Sequence, residues 1–170
     1  MANNAGMMIQ GTPQAQALGM RLVSIGPARA VAEVPWREDL VGDPETGVIA
    51  SGVVTTLLDN SCGMAAFAAL SEPASTATLD LRIDYMRPAR VGATIRAEAE
   101  CYRLTRTVAF VRAFAFDSDD TGDPVAAAQA AFMMGTGRRA GQNRKAPGAA
   151  APPPPPPTES EPGSEAPSDV

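Results

Sequence analysis

Residues 47–70 read GVIASGVVTTLLDNSCGMAAFAAL, an apolar segment that carries one carboxylate, Asp59, and no basic residue. A glycine-containing turn opens onto it, and the spacing predicts a helix of roughly 19 residues from Ser51 or Gly52, about 28 Å long. Ser51 is the expected N-cap, and Gly52 lets a neighbouring group approach the backbone closely. Val54, Leu58, Cys62 and Ala65 share one side, with Val53, Leu57 and Met64 beside them. The opposite side is also poor in charge, so the helix should be covered nearly all round. Ser71-Glu72-Pro73 ends it, because proline and its predecessor resist helical continuation. An ionised carboxylate in such surroundings is costly unless it is paired or hydrogen-bonded. Asp59 therefore marks a polar cleft, or else bonds to nearby backbone or to the Thr55 hydroxyl.

Working outward, the 170 residues suit a single domain followed by a tail. Residues 141–170 hold nine of the sixteen prolines, including the run Pro152–Pro157, and show no apolar periodicity. Such a stretch favours polyproline and disorder over a core. The expected boundaries are a flexible start over 1–14, a folded domain over 15–139 and a disordered tail over 140–170.

Residues 1–140 carry 12 basic against 15 acidic residues, and the tail carries 2 against 4, giving the net −5. No basic stripe interleaves with aromatics, so nucleic-acid binding has no support. Thr, Asp, Asn and Ser interrupt the apolar segment below transmembrane length, and the amino end lacks the charged region of a signal peptide. A cytoplasmic protein that binds no membrane is the expectation. Cys62 and Cys101 read as small core residues. With no histidine in the chain, Ser-His-Asp, Cys-His and histidine-bearing zinc chemistries are excluded. No phosphate-loop or dinucleotide fingerprint occurs, and no cofactor or metal is expected.

Along the chain, Thr12-Pro13 is placed to start a short helix through Ala17. Met20–Ile25 and Ala28–Val34 read as a hairpin broken at Gly26-Pro27. Pro35–Thr46 is a polar connector with Trp36 and Leu40, either lining a pocket or folding the connector over the helix. Beyond the helix the period changes to two. In Thr76–Met86, Ala77, Leu79, Leu81, Ile83 and Tyr85 alternate with Thr78, Asp80, Arg82 and Asp84. Thr94–Leu104 alternates again, and Thr107–Phe116 sets Val108, Phe110, Phe114 and Phe116 on one face with Arg112. Asp117–Asp123 is an acidic turn that lacks calcium-loop spacing. Val125–Met134 is small on both faces, as close packing of sheet on helix requires. The expected architecture is α+β: an antiparallel sheet, ending in a four-strand meander, wrapped around one long central helix.

At GVIASGVVTTLLD (47–59) and LDLRIDYMRPA (79–89) the chain resembles the hotdog-fold acyl-coenzyme A thioesterases of the phenylacetyl-coenzyme A (PaaI) type, over roughly residues 15–137. That resemblance implies a hotdog fold, an acyl-coenzyme A substrate and a homodimer or dimer of dimers. In the family a His-Gly-Gly turn precedes the helix, and an acid seven residues after the second glycine activates water or attacks the thioester. Gly52 matches the second glycine and Asp59 the acid, whereas Ala50 stands at the histidine and Ser51 at the first glycine. Asp43-Pro44 stands where relatives carry an Asn-Pro pair and is given no role. The resemblance makes Asp59 a general base or nucleophile and gives the amide near Gly52 the task of polarising the carbonyl. Thr78 supplies a second hydroxyl, and Asn60 and Ser61 are candidates to orient the water. Arg87 and Arg90 offer guanidinium groups suited either to coenzyme A phosphates or to surface solubility. Ala50 also favours a rival reading, a non-catalytic hotdog protein that binds acyl or aromatic ligands or serves as an assembly partner.

Overall fold

Alanine sets the distance between the two layers of this fold. In the computed structural model, which describes residues 12–72, 74–117 and 122–135, a row runs Ala32–Ala97–Ala115–Ala126 across four adjacent strands. A second row runs Ala30–Ala99–Ala113–Ala128. All eight are buried. Their short side chains form a trough into which a helix can settle closely, so that Leu57, Leu58 and Cys62 on its underside reach zero exposure.

That helix, α2 (Ser51–Ala68), follows a short α1 (Pro13–Leu18). The strands are β1 (Arg21–Gly26), β2 (Arg29–Val34), β3 (Val41–Asp43), β4 (Val48–Ile49), β5 (Thr76–Tyr85), β6 (Ile95–Leu104), β7 (Val108–Phe116) and β8 (Ala126–Met134). Six of them form one antiparallel sheet in the order β1-β2-β6-β7-β8-β5, and β3 pairs with β4 in a small ribbon at the entrance to α2. Helix α2 packs over β2, β6 and β7, with β5 and β8 flanking it. The described residues fall within one compact unit, residues 1–138. The expectations for the first eleven residues and for the tail lie outside the described residues. Among those described, no helix is long and apolar enough to cross a membrane.

Several local expectations hold. Thr12 caps α1, its Oγ1 accepting from the Ala15 amide at 3.3 Å. Helix α2 is 18 residues long and ends before Ser71. Cys62 and Cys101 are buried free thiols. Trp36 and Leu40 fold the connector: the Trp36 indole donates to the Gly47 carbonyl at 3.1 Å, and Leu40 is buried. Asp43 closes the β3–β4 turn, accepting from the Glu45 amide and the Thr46 hydroxyl.

Three details differ from the sequence reading, and a fourth, the inner face of β7, is one that it leaves open. Ser51 is the first helical residue rather than the cap; Ala50 occupies the cap position, its methyl side chain offering no bond while its amide donates to the Leu40 carbonyl at 2.9 Å. The meander has three strands, not four. The nine residues between β5 and β6 carry the chain across the sheet, so that β5 lies beside β8 at an edge; crossing three strand spacings takes about 14 Å, well within reach of such a loop. On β7 the core face is Ala109, Val111, Ala113 and Ala115, while Phe110 and Phe114 point outward. The close helix leaves no room for phenylalanine on the inner face. Finally, α2 is not covered all round: Ser51 and Gly52 are exposed, and Thr55, Thr56, Asp59, Asn60, Gly63 and Phe67 are half-buried along one stripe.

Candidate active site

Asp59 sits on the open stripe of α2, where its Oδ1 accepts a hydrogen bond from the Thr78 hydroxyl of β5 at 3.0 Å. Strict alternation from Tyr85 back along β5 would have turned Thr78 away from the helix. The pairing with β8 slips between Thr78 and Asp80, Thr78 opposing Phe132 and Asp80 opposing Ala131. Leu79 is therefore an extra residue in the strand, half exposed, and the facing parity reverses across it. Thr76 and Thr78 before the bulge, and Leu81, Ile83 and Tyr85 after it, all look toward α2.

Asp59, Asn60, Thr76 and Thr78 supply polar groups to a cavity of about 210 Å³ that Gly63, Met64, Phe67 and Phe132 also line. The Asn60 amide nitrogen donates back to the Thr56 carbonyl at 3.0 Å, which leaves its side-chain oxygen for the cavity. Ser61, by contrast, is wholly buried and does not line the cavity. Cys62 is no competing nucleophile: burial, with the nearby Asp59 charge adding to it, pushes its thiol up to about 12, so it stays protonated at neutral pH.

The structure thus brings together Asp59, Asn60 and Thr78. Gly52 lies two turns earlier on the same helix, about 10 Å along the axis. It is exposed, and a Cβ there would meet no heavy atom within 4 Å. A second cavity, of about 310 Å³, opens beside this helix start and is lined by Ser51, Ile49, Tyr85 and Pro88 among others. The Tyr85 hydroxyl donates to the Ser51 carbonyl at 2.9 Å and lies 2.7 Å from the Thr55 hydroxyl. Sequence reasoning misses Tyr85 as a site residue, because alternation assigns it only to the apolar face of β5. Its hydroxyl ties the end of β5 to the first turn of α2.

Arg87 also lines the second cavity, and with Arg90 it gathers around Asp117. The Arg87 guanidinium donates both Nη groups to the buried Asp117 carboxylate at 2.8 Å each, and Nη2 also to the Asp123 carbonyl at 2.8 Å. The Arg90 amide adds a bond to Asp117 at 2.8 Å, and its guanidinium reaches the Asp117 carbonyl at 3.0 Å. The bonded Arg87 holds the Asp117 carboxyl well below the usual carboxylate range against the upward push of burial, and the Arg90 amide reinforces it. Arg87 ties the crossover loop to the end of β7; the Arg90 side chain stays largely exposed.

Known proteins share both the fold and much of the sequence. A model of the thioesterase superfamily matches residues 46–123. A Halobacterium salinarum protein bearing the name "Putative esterase" is 31% identical over 109 residues, 62% of this chain and 71% of its own length. A crystal structure of a Pseudomonas aeruginosa protein is 37% identical, covers 77% of this chain and 96% of that one, and superposes with a TM-score of 0.70. A point mutant of the phenylacetic acid degradation protein PaaI from Thermus thermophilus is 28% identical over 72% of this chain and 98% of that one, with a TM-score of 0.62. The fold and the sequence agree, and the chain belongs to the thioesterase superfamily of hotdog fold.

Proposed function

We propose that the protein hydrolyses the thioester of an acyl-coenzyme A, with a small aromatic or short-to-medium-chain acyl group. The observation that carries this is the Asp59 carboxylate, held by the Thr78 hydroxyl in a cavity that Met64, Phe67 and Phe132 also line. Asp59 takes a proton from water as the oxygen attacks the carbonyl carbon; the tetrahedral intermediate then expels the thiolate, which recovers that proton as the free thiol. A variant of the same chemistry has the carboxylate attack directly, giving an anhydride that water then cleaves. Negative charge developing on the carbonyl oxygen falls to the amide of Gly52 at a helix start.

Asp59 and Gly52 of one chain are too far apart to share a thioester, so the reading requires a homodimer. Strand β5 is an edge strand with an unpaired side. Antiparallel pairing of two copies of β5 about its midpoint sets Thr78 of one within about two residues of Tyr85 of the other. The acid of one subunit then faces the helix start of the second. A dimer of dimers extends the same arrangement. Arg90, the freer of the two arginines, is the better placed for coenzyme A phosphates. The relative named for phenylacetic acid degradation supports an aromatic acyl group. A cytoplasmic setting agrees with a coenzyme A substrate.

The test is thiol release from an acyl-coenzyme A panel by the parent, Asp59→Ala and Asp59→Asn, with oligomeric mass checked for each. The expected loss is at least about 100-fold. A parent that binds acyl-coenzyme A and turns none of it over would replace the enzyme with a non-catalytic binding protein, Ala50 in place of the family histidine being the chemical reason.

A further inference from the structure

We propose that Tyr85, with Thr55 behind it, strengthens the Gly52 amide as a hydrogen-bond donor and is thereby a positioning residue for the thioester reaction. This rests on the reading of that amide as the group that meets the thioester carbonyl oxygen. The Ser51 carbonyl and the Gly52 amide are the two ends of one peptide unit, coupled by its resonance. A proton donated to the oxygen draws electron density from the nitrogen, and the N–H becomes the stronger donor.

Three donors converge on that oxygen. The Thr55 amide reaches it through the ordinary backbone bond of α2. The Thr55 hydroxyl lies 3.1 Å from it and the Tyr85 hydroxyl 2.9 Å. A carbonyl oxygen has two lone pairs, so one hydroxyl takes the second of them. The other is left to the 2.7 Å contact between the two hydroxyls. The shorter distances put Tyr85 on the carbonyl and Thr55 on Tyr85, a relay of two protons running toward the peptide, in which each bond strengthens the next. Two other amides of this turn are committed: Ala50 donates to the Leu40 carbonyl at 2.9 Å and Val53 to the Ala50 carbonyl at 3.0 Å. The Gly52 amide meets no acceptor among the described residues, and space is open where its side chain would stand. The peptide that receives the relay is therefore one whose N–H is free for a ligand. Tyr85 ends the edge strand β5, so a second copy paired there would shield the relay from competing water.

A hydroxyl that only pins β5 to the helix does so whatever its strength as a donor, whereas one that polarises the peptide makes the rate follow that strength. Tyr85→Phe should lower the single-turnover rate of acyl-coenzyme A hydrolysis about three- to tenfold, short of the roughly 100-fold or more that loss of a whole donor costs. KM and oligomeric mass should hold, as for an interaction realised only in the transition state. Adding Thr55→Val should deepen the loss, because the Thr55 hydroxyl takes the lone pair that Tyr85 vacates. Fluorotyrosine, with fluorine beside the hydroxyl, is the stronger donor and should raise the rate above the parent's at mildly acidic pH. The chain has two tyrosines, so this series is made in the Tyr102→Phe background; Tyr102 stands on β6, clear of the relay. With isotopically labelled glycine, the Gly52 amide nitrogen resonance should move upfield in Tyr85→Phe and downfield with fluorotyrosine. An active parent whose rate is flat across phenylalanine, tyrosine and fluorotyrosine overturns this inference alone, as does a loss in Tyr85→Phe that comes with altered KM or mass. A parent that cleaves no thioester overturns the catalytic reading and this inference with it.

Discussion

Gly52 and Asp59 share one helix, but they tolerate change in opposite ways. Asp59 is held by a hydrogen bond that a shorter side chain breaks. Gly52 has open space where a side chain would stand, a Cβ there meeting no heavy atom within 4 Å. Nothing in the fold demands glycine at this position, which lies in the first turn of α2 and has no positive φ. Its absent side chain matters only if another group comes up against the amide. Gly52→Ala should therefore raise stability by up to about 1 kcal/mol through helix propensity and at the same time lower thioester turnover. Thermal melts and thiol release on the same preparation check the two halves. A stabilised variant with full turnover would remove the helix-start amide from the chemistry. Tyr85 belongs to the same argument: its hydroxyl on the Ser51 carbonyl ties the end of β5 to the turn that presents this amide.

At the scale of elements, the crossover between β5 and β6 depends on one buried carboxylate. Asp117 has no exposed side-chain surface and is bridged by Arg87. Its folded-state pKa lies below that of the unfolded chain, near 3.9. Its stabilising contribution is thus fully present above about pH 4 and drains away as pH falls further toward the folded value. Asp117→Asn should lower stability at neutral pH by about 3 kcal/mol, since it leaves Arg87 without its bidentate partner. It should also flatten the fall of melting temperature between about pH 5 and 2.5. Other carboxylates with lowered pKa, Glu100 among them, add a slope common to both proteins, so the difference between parent and variant is the quantity to read. Equal slopes would mean that another group governs acid stability. Much of this element-level structure was legible in the sequence: the helix from its unbroken apolar run, and β6 from strict alternation of Ile95, Ala97, Ala99 and Cys101. The bulge at Leu79 was not, because one inserted residue leaves the local pattern of apolar and polar residues intact and shows itself only against β8. The inner face of β7 stays open in the sequence for a related reason: alternation groups the phenylalanines with Arg112 without saying which face looks inward, and the spacing between helix and sheet, a tertiary quantity, selects the alanines. Of the candidate site, Asp59 and Gly52 stood out in a single segment, while Tyr85 acquires meaning only when the end of β5 meets the start of α2.

At the scale of the whole molecule, helix and sheet leave surfaces uncovered on the side of β5. Helix α2 leaves a stripe of small and polar residues half-covered, and β5 leaves one edge unpaired. A second copy docked through β5 answers both at once, and it divides each site between chains. That division has a consequence which a one-chain site cannot imitate. Asp59→Ala retains an intact helix start, and Gly52→Val retains an intact acid; each should be nearly inactive alone. In a hybrid dimer, one of the two sites combines the intact helix start of the first variant with the intact acid of the second. Random pairing of equal amounts makes about half the dimers hybrid, so about one quarter of all sites are restored. Coexpression with two different tags, tandem purification and thiol release measure this directly. Recovered turnover in the purified hybrid, close to half that of the parent dimer, requires acid and amide to come from different chains. A purified hybrid as inactive as its parents would place both groups on the same chain and leave the open stripe of α2 without a catalytic partner.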